Sequence, residues 1–279
     1  MAKGRRSKKQ QQKQLQIAIA ALVVAIVLLA AGIVVALWMW LNGGEEPLPP
    51  VELPPEAPIA SNRYDAESFY REDGFLRYEK PHMVGIDVSA FQGLVDWELV
   101  AESGVEFAIL RVGYRGSSKG LLYEDETFAE NLKGARRAGL KVGAYFFSQA
   151  RNEQEAMEEA EFAAEILAGT RLDLPLFYDW ELVSGSERFP DLNAVPMTEC
   201  AMAFCERADQ AGYRAGVYFN QSFGYHYLDM SRLQEYTLWL AEYNALPTFD
   251  YHFHLVQYSD KGKIPGIETT VDLNLWILE

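Results

Sequence analysis

The sequence predicts an α/β fold, a closed barrel of eight strands preceded by one transmembrane helix. Three observations predict it. Eight apolar, β-rich runs recur after residue 80. Amphipathic helical segments alternate with the early runs, as in chains that build a parallel sheet. Ahead of them lies an uncharged stretch, Ile17 to Leu41.

The eight runs are Met83–Ser89, Phe107–Tyr114, Lys141–Gln149, Pro175–Leu182, Arg214–Asn220, Thr237–Asn244, Phe253–Ser259 and Thr270–Asn274. Asp125 to Ala138 reads as a helix beginning on an N-cap acid and stopping at Gly139. Asn152 to Leu167 opens with N-x-x-E, a capping-box-like start. Its six glutamates between Glu153 and Glu165 read most simply as a solvated face. Val195 to Ala211 is a third amphipathic stretch, closed by Gly212. After Asn220 the connections shorten, so the last three strands are expected to lack crossover helices. That many strands in about 200 residues suit a closed barrel better than an open sheet.

The first sixteen residues carry six basic side chains and no acid. The 25 residues 17–41 carry no charge and end in Trp38-Met39-Trp40. About 20 apolar residues span a bilayer, and a basic flank stays on the cytoplasmic side. A cleaved signal peptide is the competing reading. Its apolar region runs to roughly 7–15 residues and ends in small side chains, whereas this one is longer and ends in bulky aromatics. Residues 42–60, with six prolines, read as a semi-rigid stalk. The expected organisation is a basic cytoplasmic tail (1–16), a signal anchor (17–41), the stalk (42–60) and an extracytoplasmic barrel (61–279).

The net charge of −15 excludes a basic footprint, so no nucleic-acid partner is expected. It divides into +6 on the tail and −21 (19 basic, 40 acidic) on the remainder. Cys200 and Cys205 lie five apart in one helix, on different faces, and are expected as buried thiols. His252 and His254 alternate on one strand with no third ligand in sight, so rim packing is favoured over zinc. No cofactor is called for.

In such barrels chemistry collects at the C-terminal strand ends. Four carboxylates are found near run ends: Asp87, Asp179, Glu181 and Asp272. Asp179 and Glu181, at i and i+2, share one strand face with Cα atoms roughly 6–7 Å apart. Like charges that close push one pKa up, giving a protonated acid beside an ionised partner, which is what glycoside hydrolysis needs. Alone, a D-x-E at a strand end reads equally as a pair of solvated loop acids.

The surroundings add to this. GIDVSAFQGLVDW (Gly85–Trp97) is followed in order by FAILRVGYRG, Asp125-x-x-Phe128-x-x-Asn131, AGLKVGAYFFSQA, DWE (179–181), GVYFN, LWLAEYN, QYS and GIETTVDLN. This ordered set resembles the glycoside hydrolase family 25 lysozymes over about 195 residues, effectively all of the region from Val84. The resemblance implies cleavage of the β-1,4 bond between N-acetylmuramic acid and N-acetylglucosamine, with peptidoglycan glycan strands as partner. It implies an irregular (β/α) barrel with helices mainly around the first five strands. It matches Glu181 to the general acid, Asp179 to the partner carboxylate, and Asp87 and Asp272 to further cleft aspartates. Two departures stand out. The third strand ends Tyr145-Phe146-Phe147-Ser148 where the family more often has a histidine. Val256 stands where a tryptophan is familiar, which predicts one sugar platform lost. Tyr145, Tyr218, Tyr258 and Trp180 are expected as substrate-binding aromatics. Arg111 is expected to pair with a cleft acid or to form a structural salt bridge.

Overall fold

The computed structural model describes residues 58–184, 186, 188 and 195–278. The basic tail, the apolar run 17–41 and the stalk up to residue 57 lie outside the described residues. Among those described, no helix is long and apolar enough to cross a membrane.

All eight expected strands form. They are β3 (His82–Val88), β4 (Phe107–Arg115), β6 (Lys141–Ser148), β7 (Leu176–Trp180), β8 (Ala215–Asn220), β9 (Thr237–Ala241), β10 (Leu255–Gly262) and β11 (Val271–Ile277). They pair in chain order, and β11 returns to β3 to close the barrel. Six neighbouring pairs, from β3–β4 through β9–β10, are parallel. The last strand is not: β11 is antiparallel to both β10 and β3. The parallel sheet expected from the early alternation holds through β10, and the last strand departs from it. Residues 263–270 are too few for the crossover of a dozen or more residues that a parallel return requires.

Strand alternation divides the side chains cleanly. Phe107, Ile109, Phe177, Trp239 and Leu255 fill the barrel interior in one cluster. Ala108, Leu110, Phe146, Val217, Leu240 and Val256 point outward into a second, larger cluster beneath the helices. Gly85 and Gly216 leave room for the rings of Phe107 and Phe177, which lie about 2.4 and 2.5 Å from where a Cβ would stand.

The helices are α1 (Trp97–Glu102), α2 (Phe128–Arg137), α3 (Glu153–Leu167), α4 (Met197–Gln210) and α5 (Gln221–His226). None intervenes between β9 and β11, as expected, but the connection into β9 does carry the six-residue α5 directly after Asn220. Helix α2 begins two residues later than its acid suggested. Its N-cap is Thr127, which makes no side-chain cap bond. Asp125 instead receives the Thr127 N–H, the Ala90 N–H and Arg111 Nε. Asn152 does cap α3, accepting from Glu155 N at 3.0 Å. The glutamate-rich helix is only partly solvated. Glu159 is fully buried, paired with Arg115 Nε at 2.7 Å and receiving Ser148 Oγ at 2.5 Å.

The short helices α1 and α5 and three strands had no counterpart in the sequence reading. An antiparallel hairpin, β1 (Phe69–Glu72) and β2 (Phe75–Tyr78), precedes the barrel. Strand β5 (Leu122–Glu124) adds to the free side of β4. The cysteines are free and buried, as expected. His254 Nδ1 accepts from Leu238 N, and its ring lies 4.7 Å from that of His252 at the barrel wall.

Candidate active site

Strand direction and alternation bring the candidate acids to one place. Asp87 stands near the end of β3, Asp179 near the end of β7, and Glu181 one residue beyond β7. Asp272 lies near the start of β11, but that strand runs backward, so its beginning is at the same rim. Asp272 and Asp87 are register partners there. All four carboxylates line a cavity of about 210 Å³, together with Tyr145, Tyr218 and Arg111.

Two candidates do not enter it. Trp180, between two cleft acids in sequence, points outward into the core, where its Nε1 donates to Ala150 O at 2.9 Å. Tyr258 also faces outward, with Arg71 Cζ 5.5 Å from its ring centroid. Both assignments ran against the period of two. The same parity disposes of the missing tryptophan: Val256 is fully buried in the outer core, so position 256 is no sugar platform in this barrel. Of the remaining aromatics at strand ends, Phe147, Trp239 and Tyr243 line the cavity.

The cavity floor is a hydrogen-bonded array. Asp87 Oδ2 accepts from Gln257 Nε2 at 2.8 Å and Asn274 Nδ2 at 2.7 Å. Asn274 Oδ1 accepts Trp239 Nε1 at 2.8 Å. Gln257 Oε1 accepts the hydroxyls of Tyr218 and Tyr243 at 3.0 and 2.7 Å. Sequence reasoning missed Gln257 and Asn274 as site residues, although each lies two positions from a residue known to face inward. It also missed Phe91, which is 78% exposed at the rim. Arg111 settles the open question of its partner. It bonds Asp125 at 2.7 Å, and the Asp125 carboxylate holds the Ala90 N–H, bracing the loop after β3. Burial pushes Asp125 up, but the Ala90 and Thr127 bonds and the Arg111 charge outweigh it and hold its pKa below the ordinary value.

The cleft acids behave in the opposite way. Burial, the charges of Glu181 and Asp87 and only partial relief from Arg111 drive Asp179 well above the carboxylate range. Its Oδ1 is buried and receives no hydrogen bond. Burial also raises Glu181, against a hydrogen bond with Tyr218. Asp87 is raised to about 6, mainly by burial, with Asn274 and Gln257 opposing. Asp272 is raised to about 8 by burial and the Asp87 charge. Four carboxylates around so small a space cannot all ionise, so the array retains protons at neutral pH. Asp179 carries the larger shift of the D-x-E pair and is 6% exposed, whereas Glu181 is the more accessible member.

The family model for glycosyl hydrolases family 25 matches residues 86–267. The chain belongs to this family. An autolytic lysozyme of Clostridium acetobutylicum is 32% identical over 193 residues, which is 69% of this chain and 55% of that protein. Lysozyme M1 of Streptomyces globisporus is 27% identical over 203 residues, covering 68% of this chain and 66% of that one. Among solved structures, the modular autolysin LytC from Streptococcus pneumoniae in complex with a synthetic peptidoglycan ligand superposes with TM-score 0.62 at 27% identity. That alignment covers 75% of this chain and 52% of LytC. The chain thus spans about half the length of the autolytic lysozyme and of LytC. The family-25 match ends at residue 267, so Asp272 and Asn274 lie beyond it; the geometry places Asp272 in the cavity lining, as the resemblance implied, and Asn274 beneath it on Asp87.

Proposed function

We propose that the chain is a peptidoglycan hydrolase of the N-acetylmuramidase type, cleaving the β-1,4 bond between N-acetylmuramic acid and N-acetylglucosamine. One observation carries this reading: four carboxylates with raised pKa values converge on a single cavity at the rim of a family-25 barrel. The lysozyme relatives and the peptidoglycan ligand of LytC support the substrate class.

In this reading Glu181 is the general acid. Burial raises its pKa above the ordinary carboxylate value and so favours the protonated form, and its accessibility lets it reach the leaving glycosidic oxygen. Asp179, deeper and lacking a protein donor on Oδ1, faces the sugar as the partner carboxylate. Its raised pKa suits it to orienting the N-acetyl group, and in its ionised form it stabilises the oxocarbenium-like state. Asp87, fixed by Asn274 and Gln257, sets the field beneath them. Exposed Phe91 and half-exposed Tyr243 offer flat faces to sugar rings at the cleft mouth.

The enzyme is further proposed to be tethered to the outer membrane face by residues 17–41 and held off it by the stalk. What supports this is the basic tail, the uncharged run and the prolines. A tethered hydrolase reaches only nearby wall, which suits local remodelling.

Glu181→Gln is the direct test of the acid. Turnover on purified peptidoglycan should fall about 10²–10⁴-fold with the circular dichroism spectrum unchanged. A variant that keeps near-normal turnover would remove Glu181 from the mechanism. A wild-type chain that binds strands without cutting them would make the barrel a wall-binding scaffold.

A further inference from the structure

A second cavity, of about 510 Å³, opens beside the catalytic one, and Tyr243 lines both. Its walls come from the β1–β2 hairpin and from β10 and the loop that follows it, carrying Arg71, Asp73, Tyr258, Lys261 and Lys263. The hairpin precedes residue 86, where the family match starts, so one wall of this groove lies outside the matched segment.

The groove is cationic on a chain whose net charge is −15. Arg71 and Lys263 are exposed and pair with no carboxylate among the described residues, and Arg71 is laid over the Tyr258 ring. Lys261 is 82% exposed and only 3.8 Å from Asp260, too far for a tight pair. Asp73 is the one acid among these walls, against three cations. Such charges are weakly committed to the fold and available to an anion.

We infer that this groove binds the carboxylates of the stem peptide attached to the muramyl sugar. The inference rests on the muramidase reading, which puts that sugar beside Glu181. Its lactyl group carries the stem, and a stem leaving the cleft past Tyr243 enters a groove of opposite charge. Arg71 and Lys263 meet its carboxylates, and the exposed Tyr243 packs against its apolar atoms. The hairpin thereby makes the enzyme selective for strands that still bear stems.

The test compares full-length chains carrying Glu181→Gln, so that strands are bound without being cut, with and without the added pair Arg71→Glu and Lys263→Glu. Two substrates are used: glycan strands with stems intact, and the same strands after amidase treatment, both first freed of phosphate-bearing wall polymers. Affinity for stem-bearing strands should fall about five- to tenfold, the scale of two exposed charge contacts. Affinity for stripped strands should not change, and the difference should shrink as salt is raised. Lys133→Glu, an equal type of charge change outside the groove, should have no effect on either. An equal loss on both substrates, or no loss on either, would overturn the inference. Glu181-intact chains assayed in parallel for cleavage keep the two readings apart. A stem-dependent affinity without cleavage would retain the groove and remove the muramidase; cleavage without stem dependence would do the reverse.

Discussion

Asp272 shows how single residues in this cleft exchange stability for chemistry. Its folded pKa of about 8 stands above its ordinary 3.8, and a hydrogen bond with Asp87 raises the one and lowers the other. The folded state therefore holds more protons than the unfolded chain between those values. The stability contributed by that proton is complete below about pH 4 and is lost as pH rises through about 8. In Asp272→Asn the amide donates to Asp87 at every pH. The variant is expected to be more stable than wild type at pH 8 by about 1–2 kcal/mol, with a flatter dependence between pH 6 and 8. Urea melts across that range check it, and an unchanged slope would move the proton to another group. The acids were legible in the sequence because apolar runs ending in carboxylates are rare and chemically pointed. Trp180 and Tyr258 were misplaced because aromatic character was weighed above parity; Gln257 and Asn274 were missed because amides carry no such signal until their partners are known.

At the scale of elements, the strands were readable and their relations less so. Each run of alternating or continuous apolar residues became a strand, since both faces of this sheet are covered. The direction of β11 was not readable from its own residues; it follows from the short connection before it. Helix α3 taught the opposite lesson. Its glutamates look alike in sequence, yet Glu159 is buried against Arg115 while Glu165 faces solvent. Burial raises the Glu159 pKa to about 7 despite Ser148 and Arg115. This pair also braces the site: Gln149, whose N–H bonds Glu159, passes its side-chain amide to the Glu181 carbonyl oxygen at 2.6 Å. Glu159→Ala removes the closer of the two carboxylates paired with the buried Arg115 guanidinium, leaving Glu158 at 3.4 Å, and should cost about 3 kcal/mol. Glu165→Ala should change stability by less than about 0.5 kcal/mol. Chemical denaturation of both variants distinguishes a brace from a solvated face, and similar values for the two would deny Glu159 its place.

For the whole molecule, the net charge of −15 averages over parts with opposed roles. The basic tail and the uncharged run are proposed to fix the chain in the membrane, and the acidic remainder holds the cleft. Full-length protein should sediment with membranes and resist extraction by high salt, whereas a variant with three arginines between Val23 and Leu29 should not; equal partitioning would dismiss the anchor. The barrel itself was predictable in outline because eight runs in about 200 residues leave few other ways to bury two faces. The β1–β2 hairpin escaped notice because its strands are only four residues long. The central claim, that this barrel cuts peptidoglycan at muramic acid, is tested most directly by the sugar left at the new reducing end. Purified peptidoglycan digested with the full-length chain and then reduced with borohydride should yield new muramitol, and none with Glu181→Gln. New glucosaminitol instead, or no new reduced ends, would contradict it.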